Sequence, residues 1–278
     1  MQNETTITVR KPDFKYHKDI PVHWMNNNSF STHLLNSFHL VFPPGEKFFI
    51  RSINAFKDKI TSEDLKEDIK RFVGQEMQHS KEHEKFWEIM ETQGYEIHNF
   101  LKYQDDFFYN FLENFVKKFL GEKYCLSVTA ACEHYTVAFA ESVYTQDVFI
   151  EVPEELKNLL LWHAAEELEH KSVAYDVLQS VDDSYSVRIS GMILASVLLF
   201  LASSSGQIYF MAQDKTLSLP KAIGDFWGFI TRPSNPLAVA LGVVSDYFRP
   251  DFHPKDRDNV HLADSFLNRM RYEDREVA

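Results

Sequence analysis

The sequence predicts an all-α fold whose centre is a bundle of four helices. Glycine and proline are scarce, with 9 and 10 among 278 residues. Phenylalanine is the commonest aromatic residue, with 24. This composition favours long helices over strands. Apolar residues recur at helical spacing through several long stretches. Two Glu-x-x-His motifs lie on stretches of this kind, where residues three apart share one helix face.

The chain is long enough to bury a large core. We expect a single domain overall that has three parts. An irregular N-terminal arm covers 1–30, where Pro12, Pro21 and polar turns disfavour regular structure. The four-helix bundle covers 31–183, and an apolar helix with shorter C-terminal helices, packed on the bundle, covers 184–278.

The first helical hairpin of the bundle is expected to have an interruption. The Pro43-Pro44-Gly45 run should break the first helix, because proline removes a helix hydrogen bond. Glu46 would then lie in the first turns of a new helical segment. Thr61 or Ser62 can cap the next helix, which Gly94 would end.

The second hairpin follows an aromatic stretch, 107–120, that is long enough to cross the bundle. Its helices are expected at 124–144 and 153–179, and Pro153 suits the start of the latter. Four core helices joined in this way form two hairpins that face each other.

The fourth core helix carries three candidate metal ligands on one face. Glu167 and His170 form a Glu-x-x-His pair, and His163 lies one turn before Glu167. Glu76 and His79 repeat the Glu-x-x-His spacing on the second helix. On each of these helices, carboxylate and imidazole groups placed this way can bind a single metal ion.

Two further glutamates complete the predicted metal site. Glu46 follows the proline run. Glu133 follows a run of small and apolar residues, where a buried charge is costly unless it has a partner. One glutamate from each of two helices and a Glu-x-x-His pair from each of two others form the ligand set of ferritin-like two-metal bundles. The fold expected is therefore a ferritin-like four-helix bundle.

The sequence separations are consistent with this site. The midpoint between Glu46 and Glu76 is Thr61, and the midpoint between Glu133 and Glu167 is Ile150, and both lie in turn-like stretches. Helical arms of about 14 residues rise roughly 21 Å and return by the same distance. Each glutamate should therefore lie opposite its partner.

Two residues near the motifs have open roles. His83 continues the face of Glu76 and His79 by one turn, so it is an extra ligand, a group that orients substrate, or a packing residue. Glu166 points about 100° away from Glu167, which favours a surface position or a supporting role over ligation. A register shifted by one, with Glu166 and Glu169 facing the site, is the alternative.

Residues 189–213 contain no charged side chain. This length would span a bilayer, but serines, glycines and glutamines dilute the stretch and no basic cluster flanks it. We expect a buried helix on the bundle or in a homodimer interface, with membrane association as the alternative.

The charge, the cysteines and the N-terminal sequence bear on the partners and the cellular location of the protein. A formal charge of −12 argues against a nucleic-acid partner. Cys125 and Cys132 lie about 10 Å apart along one helix, beyond disulfide reach. The polar N-terminus contains no apolar run. A cytoplasmic protein is expected, or a membrane-associated one if 189–213 meets a lipid surface.

The ligand pattern resembles the ferritin-like di-iron superfamily. His163, four residues before Glu167, makes it similar to the di-iron N-oxygenases that act on para-aminobenzoate, which carry an additional histidine ligand. The PPGEKFF, QEMQHSKEH, ACEHYT, HAAEELEHKSVAYDV and YFRPDFHP segments also resemble a bacterial family labelled "predicted metal-dependent hydrolase".

The main functional expectation is a non-haem di-iron oxidoreductase that activates O2. Four glutamates balance two divalent ions, and the mixed donor set suits two iron ions, with manganese or zinc as alternatives. The partners would be O2, a small organic substrate and an external electron donor. The first alternative is a two-metal hydrolase, and the second is an iron-binding protein without enzymatic activity.

Overall fold

The computed structural model describes residues 7–232 and 236–276. The all-α prediction is confirmed, because this part of the chain forms helices and no strand. The α-helices are α1 Ser29–Asn54, α2 Glu63–Thr92, α3 His98–Gln104, α4 Asn114–Phe119, α5 Glu122–Thr145, α6 Glu154–His170, α7 Val173–Val181, α8 Tyr185–Gln213, α9 Leu219–Ile230, α10 Pro236–Tyr247 and α11 Asp264–Glu276. A π-helical segment, Asp105–Glu113, joins α3 to α4.

Helices α1, α2, α5 and α6 carry the predicted ligands. Helix α1 packs on α2 and α5, and α6 packs on α5 and α2. The expected helix at 153–179 is divided into α6 and α7 by a turn at Lys171 and Ser172. The Ser62 side chain caps α2 by accepting a hydrogen bond from the Leu65 amide, as its position in the sequence suggested.

The predicted break at Pro43 and Pro44 is wrong, because α1 continues through both prolines. The fixed φ angle of proline fits a helix, and the cost lies mainly in the lost N–H donor and a clash with the preceding turn. The carbonyl of His39, which would have accepted from residue 43, instead accepts from Trp87 Nε1 at 2.8 Å. Glu46 therefore lies inside a continuous helix and not in a first turn.

Helix α8 packs on α1 and α5 through small residues. A Cβ atom at Gly191 would lie 1.9 Å from Ser127 Oγ, and one at Gly206 would lie 2.2 Å from Ser37 Oγ. Glycine is therefore needed at both positions for the helices to approach so closely.

The opposite face of α8 exposes apolar side chains, which include Ile193, Phe200 and Ile208. Its length and a mean hydropathy of 1.8 meet the criterion for a membrane span, and 39% of the apolar window is buried in the protein. One such helix is also found in soluble proteins. Membrane or homodimer contact at this face stays a prediction.

Asp214 follows α8 and ties its end to the rest of the protein. Its Oδ2 lies 2.6 Å from His23 Nε2 and 2.9 Å from His33 Nε2, and its Oδ1 accepts from Thr216 Oγ1 at 2.6 Å. Burial would raise the pKa of Asp214, but hydrogen bonds from His23, Thr216 and His33 outweigh it and hold the pKa well below its ordinary value.

Replacement of Asp214 by alanine should lower the free energy of unfolding by about 1–3 kcal/mol at neutral pH, since the buried His33 and the partly buried His23 lose their acceptor. A carboxyl group whose pKa is lower in the folded state than in the unfolded state stabilises the fold at pH values above its ordinary pKa. This stabilisation is lost as the pH falls through the folded-state pKa. Denaturant unfolding of both proteins at pH 7 and in acid measures this, and the difference should shrink in acid. A difference that grows in acid would contradict the assignment.

Candidate metal centre

The structure brings all seven predicted ligands together inside the bundle. They come from four helices that are far apart in sequence, and each is at most 7% exposed. They are Glu46 of α1, Glu76 and His79 of α2, Glu133 of α5, and His163, Glu167 and His170 of α6.

One group of ligand atoms surrounds His170. Its Nε2 atom lies 3.1 Å from Glu133 Oε2 and 3.4 Å from both Glu76 Oε1 and Glu167 Oε2. Three carboxylates thus face one imidazole nitrogen.

A second group lies on the other side of Glu167. Its Oε1 atom is 2.8 Å from His163 Nε2 and 3.6 Å from His79 Nδ1. Glu46 Oε1 lies 3.9 Å from His163 Nε2, and Glu76 Oε1 lies 3.8 Å from His79 Nδ1. Glu76 and Glu167 therefore belong to both groups.

Buried atoms without hydrogen-bond partners test whether a metal fits here. Within the described part of the chain, no hydrogen bond reaches Glu46 Oε1, either oxygen of Glu76 or Glu133, His79 Nδ1 or His170 Nε2. Buried polar groups are nearly always paired, because an unpaired one costs free energy. All these atoms belong to residues of the two groups above, so the donor set fits bound cations.

The protein alone does not balance the charge of these carboxylates. Burial raises the pKa of Glu46 to about 8 and that of Glu133 to about 7, and burial with nearby Glu133 raises the pKa of Glu76 well above its ordinary value. Burial would also raise the pKa of Glu167, but His170 and a hydrogen bond from His163 hold it well below the ordinary value. Two divalent cations would supply the missing positive charge.

Glu166 lies behind His79 and not within the cluster. Its Oε2 is 3.1 Å from His79 Nε2, and its Oε1 accepts from Trp162 Nε1 and Arg10 Nη1, both at 3.0 Å. A carboxylate at this nitrogen fixes the tautomer that leaves Nδ1 free to face the cluster. This geometry is that of a group that supports a ligand, and the role of Glu166 stays a prediction.

Gln75 supports His170 in the same way, and the sequence analysis did not select it. Its Oε1 lies 2.9 Å from His170 Nδ1, and its Nε2 donates to Glu169 Oε2 at 2.9 Å. Arg10 donates to both oxygens of Glu169, at 2.9 and 2.7 Å. Arg10 of the N-terminal segment therefore connects the supports of His79 and His170. Only the position of Gln75 beside Glu76 could have signalled its role.

His83 lies behind His163. Its Nε2 is 2.6 Å from His163 Nδ1, and its Nδ1 is 2.7 Å from His39 Nδ1, a buried histidine that the sequence analysis did not select. Burial lowers the pKa of His83 well below its ordinary value, and nearby His39 lowers it further. A neutral His83 orients the His163 ring so that Nε2 faces Glu167.

Hydroxyl groups hold two of the carboxylates. Ser80 Oγ donates to Glu46 Oε2 at 2.6 Å, and the Thr136 hydroxyl contacts Glu167 Oε2. The contact on Glu46 occupies Oε2 and leaves Oε1 directed at the cluster.

Two apolar pockets adjoin the cluster. Pocket A, about 130 Å³, lies among α1, the π-helical segment, α5 and α8, and it reaches Glu46, Glu76, His163 and Glu167. Pocket B, about 240 Å³, lies among α1, α5, α6 and the end of α9, and it reaches His83, His163 and Glu167. Three phenylalanines line both pockets: Phe38, Phe42 and Phe139.

An all-helical fold with a buried carboxylate and histidine cluster defines a class of metal-dependent helical proteins. The chain belongs to the family described as "Predicted metal-dependent hydrolase", whose model matches residues 8–258. No curated protein and no solved structure matches the chain. This description agrees better with the hydrolase alternative than with the main expectation of O2 activation, and the likeness to di-iron oxygenases stays a prediction.

Proposed function

We propose that this protein is a metal-dependent hydrolase that binds two divalent ions and acts on a largely apolar substrate. The observation that carries the proposal is the convergence of buried ligand atoms that have no other partner. The proposed ligands are the seven residues of the cluster: Glu46, Glu76, His79, Glu133, His163, Glu167 and His170. Ions bound there would lower the pKa of a water molecule and polarise the scissile bond.

The chain's own residues would orient the site and keep it dry. Glu166, Gln75 and His83 fix the three imidazole rings through their other nitrogens. The apolar walls of both pockets would bind the substrate beside Glu167 and exclude bulk water. Such pockets favour an enzyme over a protein that only stores iron.

The second candidate function is an O2-activating oxidoreductase, and the composition of the donor set is compatible with it. Four carboxylates and three imidazoles without a thiolate suit iron and manganese as well as zinc. Iron in this site would supply redox chemistry with O2, and an external electron donor would be needed.

The choice of metal and atmosphere separates these candidates. Metal-free protein is reloaded with Zn²⁺, Mn²⁺ or Fe²⁺ and assayed under nitrogen and in air with p-nitrophenyl butyrate, p-nitrophenyl decanoate and p-nitrophenyl phosphate. We expect hydrolysis under nitrogen with Zn²⁺ or Mn²⁺ that is lost in Glu133→Ala. Oxygen uptake with Fe²⁺ and a reductant, without hydrolysis by any form, would overturn the hydrolase proposal in favour of the second candidate.

A further inference from the structure

Pocket B contains one permanent positive charge. Its walls are mainly aliphatic and aromatic, and Arg232, just after α9, lines it together with Phe229 and Val239. Arginine stays charged at any physiological pH. Arg232 therefore lines an apolar cavity that also reaches Glu167 and His163.

Arg232 has no counter-ion among the residues that the structure describes. Within residues 7–232 and 236–276, its guanidinium takes part in no hydrogen bond or ion pair, whereas the arginines at positions 10, 51, 249 and 257 each pair with a carboxylate. The one carboxylate that lines pocket B is Glu167, which already contacts His163 and Thr136. Arg232 is partly buried, so it loses some hydration without gaining a protein partner.

We propose that pocket B binds an apolar chain that ends in a carboxylate, with the carboxylate on Arg232 and the chain directed towards the cluster. The planar guanidinium fork matches a carboxylate with two parallel hydrogen bonds. One guanidinium neutralises one charge, which favours a carboxylate over a phosphate ester of higher charge. The proposal names the substrate class of the proposed function, and it rests on that function only in treating the cluster as the reacting end.

The apolar part of the ligand would lie against partly buried aliphatic side chains. Leu34, Val143 and Leu160 line pocket B and come from three different helices. Burial of methylene groups there would make the affinity increase with chain length. The charged end therefore selects the ligand, and the chain supplies most of the affinity.

Binding of decanoate tests the inference without any reaction, because decanoate has no bond for a hydrolase to cleave. Displacement of 11-(dansylamino)undecanoate from the zinc-loaded, full-length protein is followed by fluorescence, with decanoate, decanol and decyl phosphate as competitors. We expect decanoate to bind about tenfold more tightly than decanol and more tightly than decyl phosphate.

Variants of Arg232 locate the carboxylate. Arg232→Ala should weaken decanoate binding about tenfold and leave decanol within twofold, and Arg232→Lys should recover part of the loss because it keeps the charge without the fork. Arg71→Ala, which removes a guanidinium that pairs with Glu67 outside both pockets, should change neither affinity. Val143→Phe, which fills pocket B, should weaken binding of both ligands.

Equal loss of decanoate and decanol in Arg232→Ala, or unchanged decanoate affinity, would overturn the proposal. Tighter binding of decyl phosphate than of decanoate would show that the charged end of the ligand is a phosphate and not a carboxylate. Absence of hydrolysis by the reloaded protein, with decanoate binding that still depends on Arg232, would remove the proposed function and leave this subsite in place.

Discussion

Glu133→Ala is expected to abolish binding of the two metal ions and to leave the helices folded. Both oxygens of Glu133 lack a hydrogen-bond partner in the described part of the chain, and His170 Nε2 lies 3.1 Å from one of them. If the carboxylate binds metal, its removal deletes a ligand and a quarter of the negative charge that the four glutamates offer. Metal-to-protein ratios after dialysis should fall from two to below one.

The metal-free form of this variant should be as stable as the metal-free wild type. Burial and nearby Glu167 raise the pKa of Glu133 to about 7, so this carboxylate costs free energy when it is ionised in the metal-free protein. Removing it relieves that cost, although it leaves a small cavity. Helical circular dichroism and denaturant unfolding would show whether the fold is kept.

Stability in the presence of metal gives a second readout. A free metal concentration 100-fold above the dissociation constant stabilises the wild type by about 2.7 kcal/mol, and a variant that cannot bind gains nothing. Glu167→Ala should behave similarly, whereas Glu84→Ala, which removes an exposed carboxylate paired with Lys47, should match the wild type. Two metal ions per chain in Glu133→Ala and in Glu167→Ala would refute the assignment of the site.

The proximity of the seven cluster residues could be predicted because helices convert sequence separation into distance. Thr61 lies between α1 and α2, and Ile150 lies between α5 and α6, so each hairpin turns near the midpoint of its glutamate pair. The fixed rise per residue then returns Glu76 to the level of Glu46, and Glu167 to the level of Glu133. The role of these residues as ligands stays a prediction.

The continuity of α1 could not be predicted, because it depends on a residue of another helix. Pro43 would ordinarily leave the carbonyl of His39 unpaired, which favours a break. Trp87 of α2 supplies the missing donor only after α1 and α2 have packed. A local rule failed here because a tertiary contact compensates for the lost hydrogen bond.

The residues that orient the ligands and the residues that line the pockets also could not be predicted from the sequence pattern. Gln75 and His39 have no spacing that separates them from ordinary helix residues. Arg10 and Arg232 lie outside the helices that carry the cluster, and 156 residues separate Arg10 from Glu166. Such contacts follow from the way irregular segments lie over the bundle, which periodicity does not determine.

Arg10→Ala should lower metal affinity about 10–100-fold without changing the number of ions bound at saturation, an effect typical of losing the partner that orients a ligand. Arg10 holds two carboxylates: Glu166, whose Oε2 is 3.1 Å from His79 Nε2, and Glu169, whose Oε2 accepts from Gln75. Without the guanidinium, both supports gain freedom and the imidazoles are oriented less firmly. Competition with a metal chelator would measure the affinity.

Two comparisons separate this positioning role from simple attachment of the N-terminal segment. Asp13→Ala removes another contact of that segment, the ion pair with Lys85, and should leave metal affinity unchanged. Gln75→Leu should lower affinity through His170 alone, and its combination with Arg10→Ala should cost less than the sum of the single effects, because the two share one hydrogen-bonded path. Additive losses, or wild-type affinity in Arg10→Ala, would mean that the guanidinium fixes the segment and does not orient the ligands.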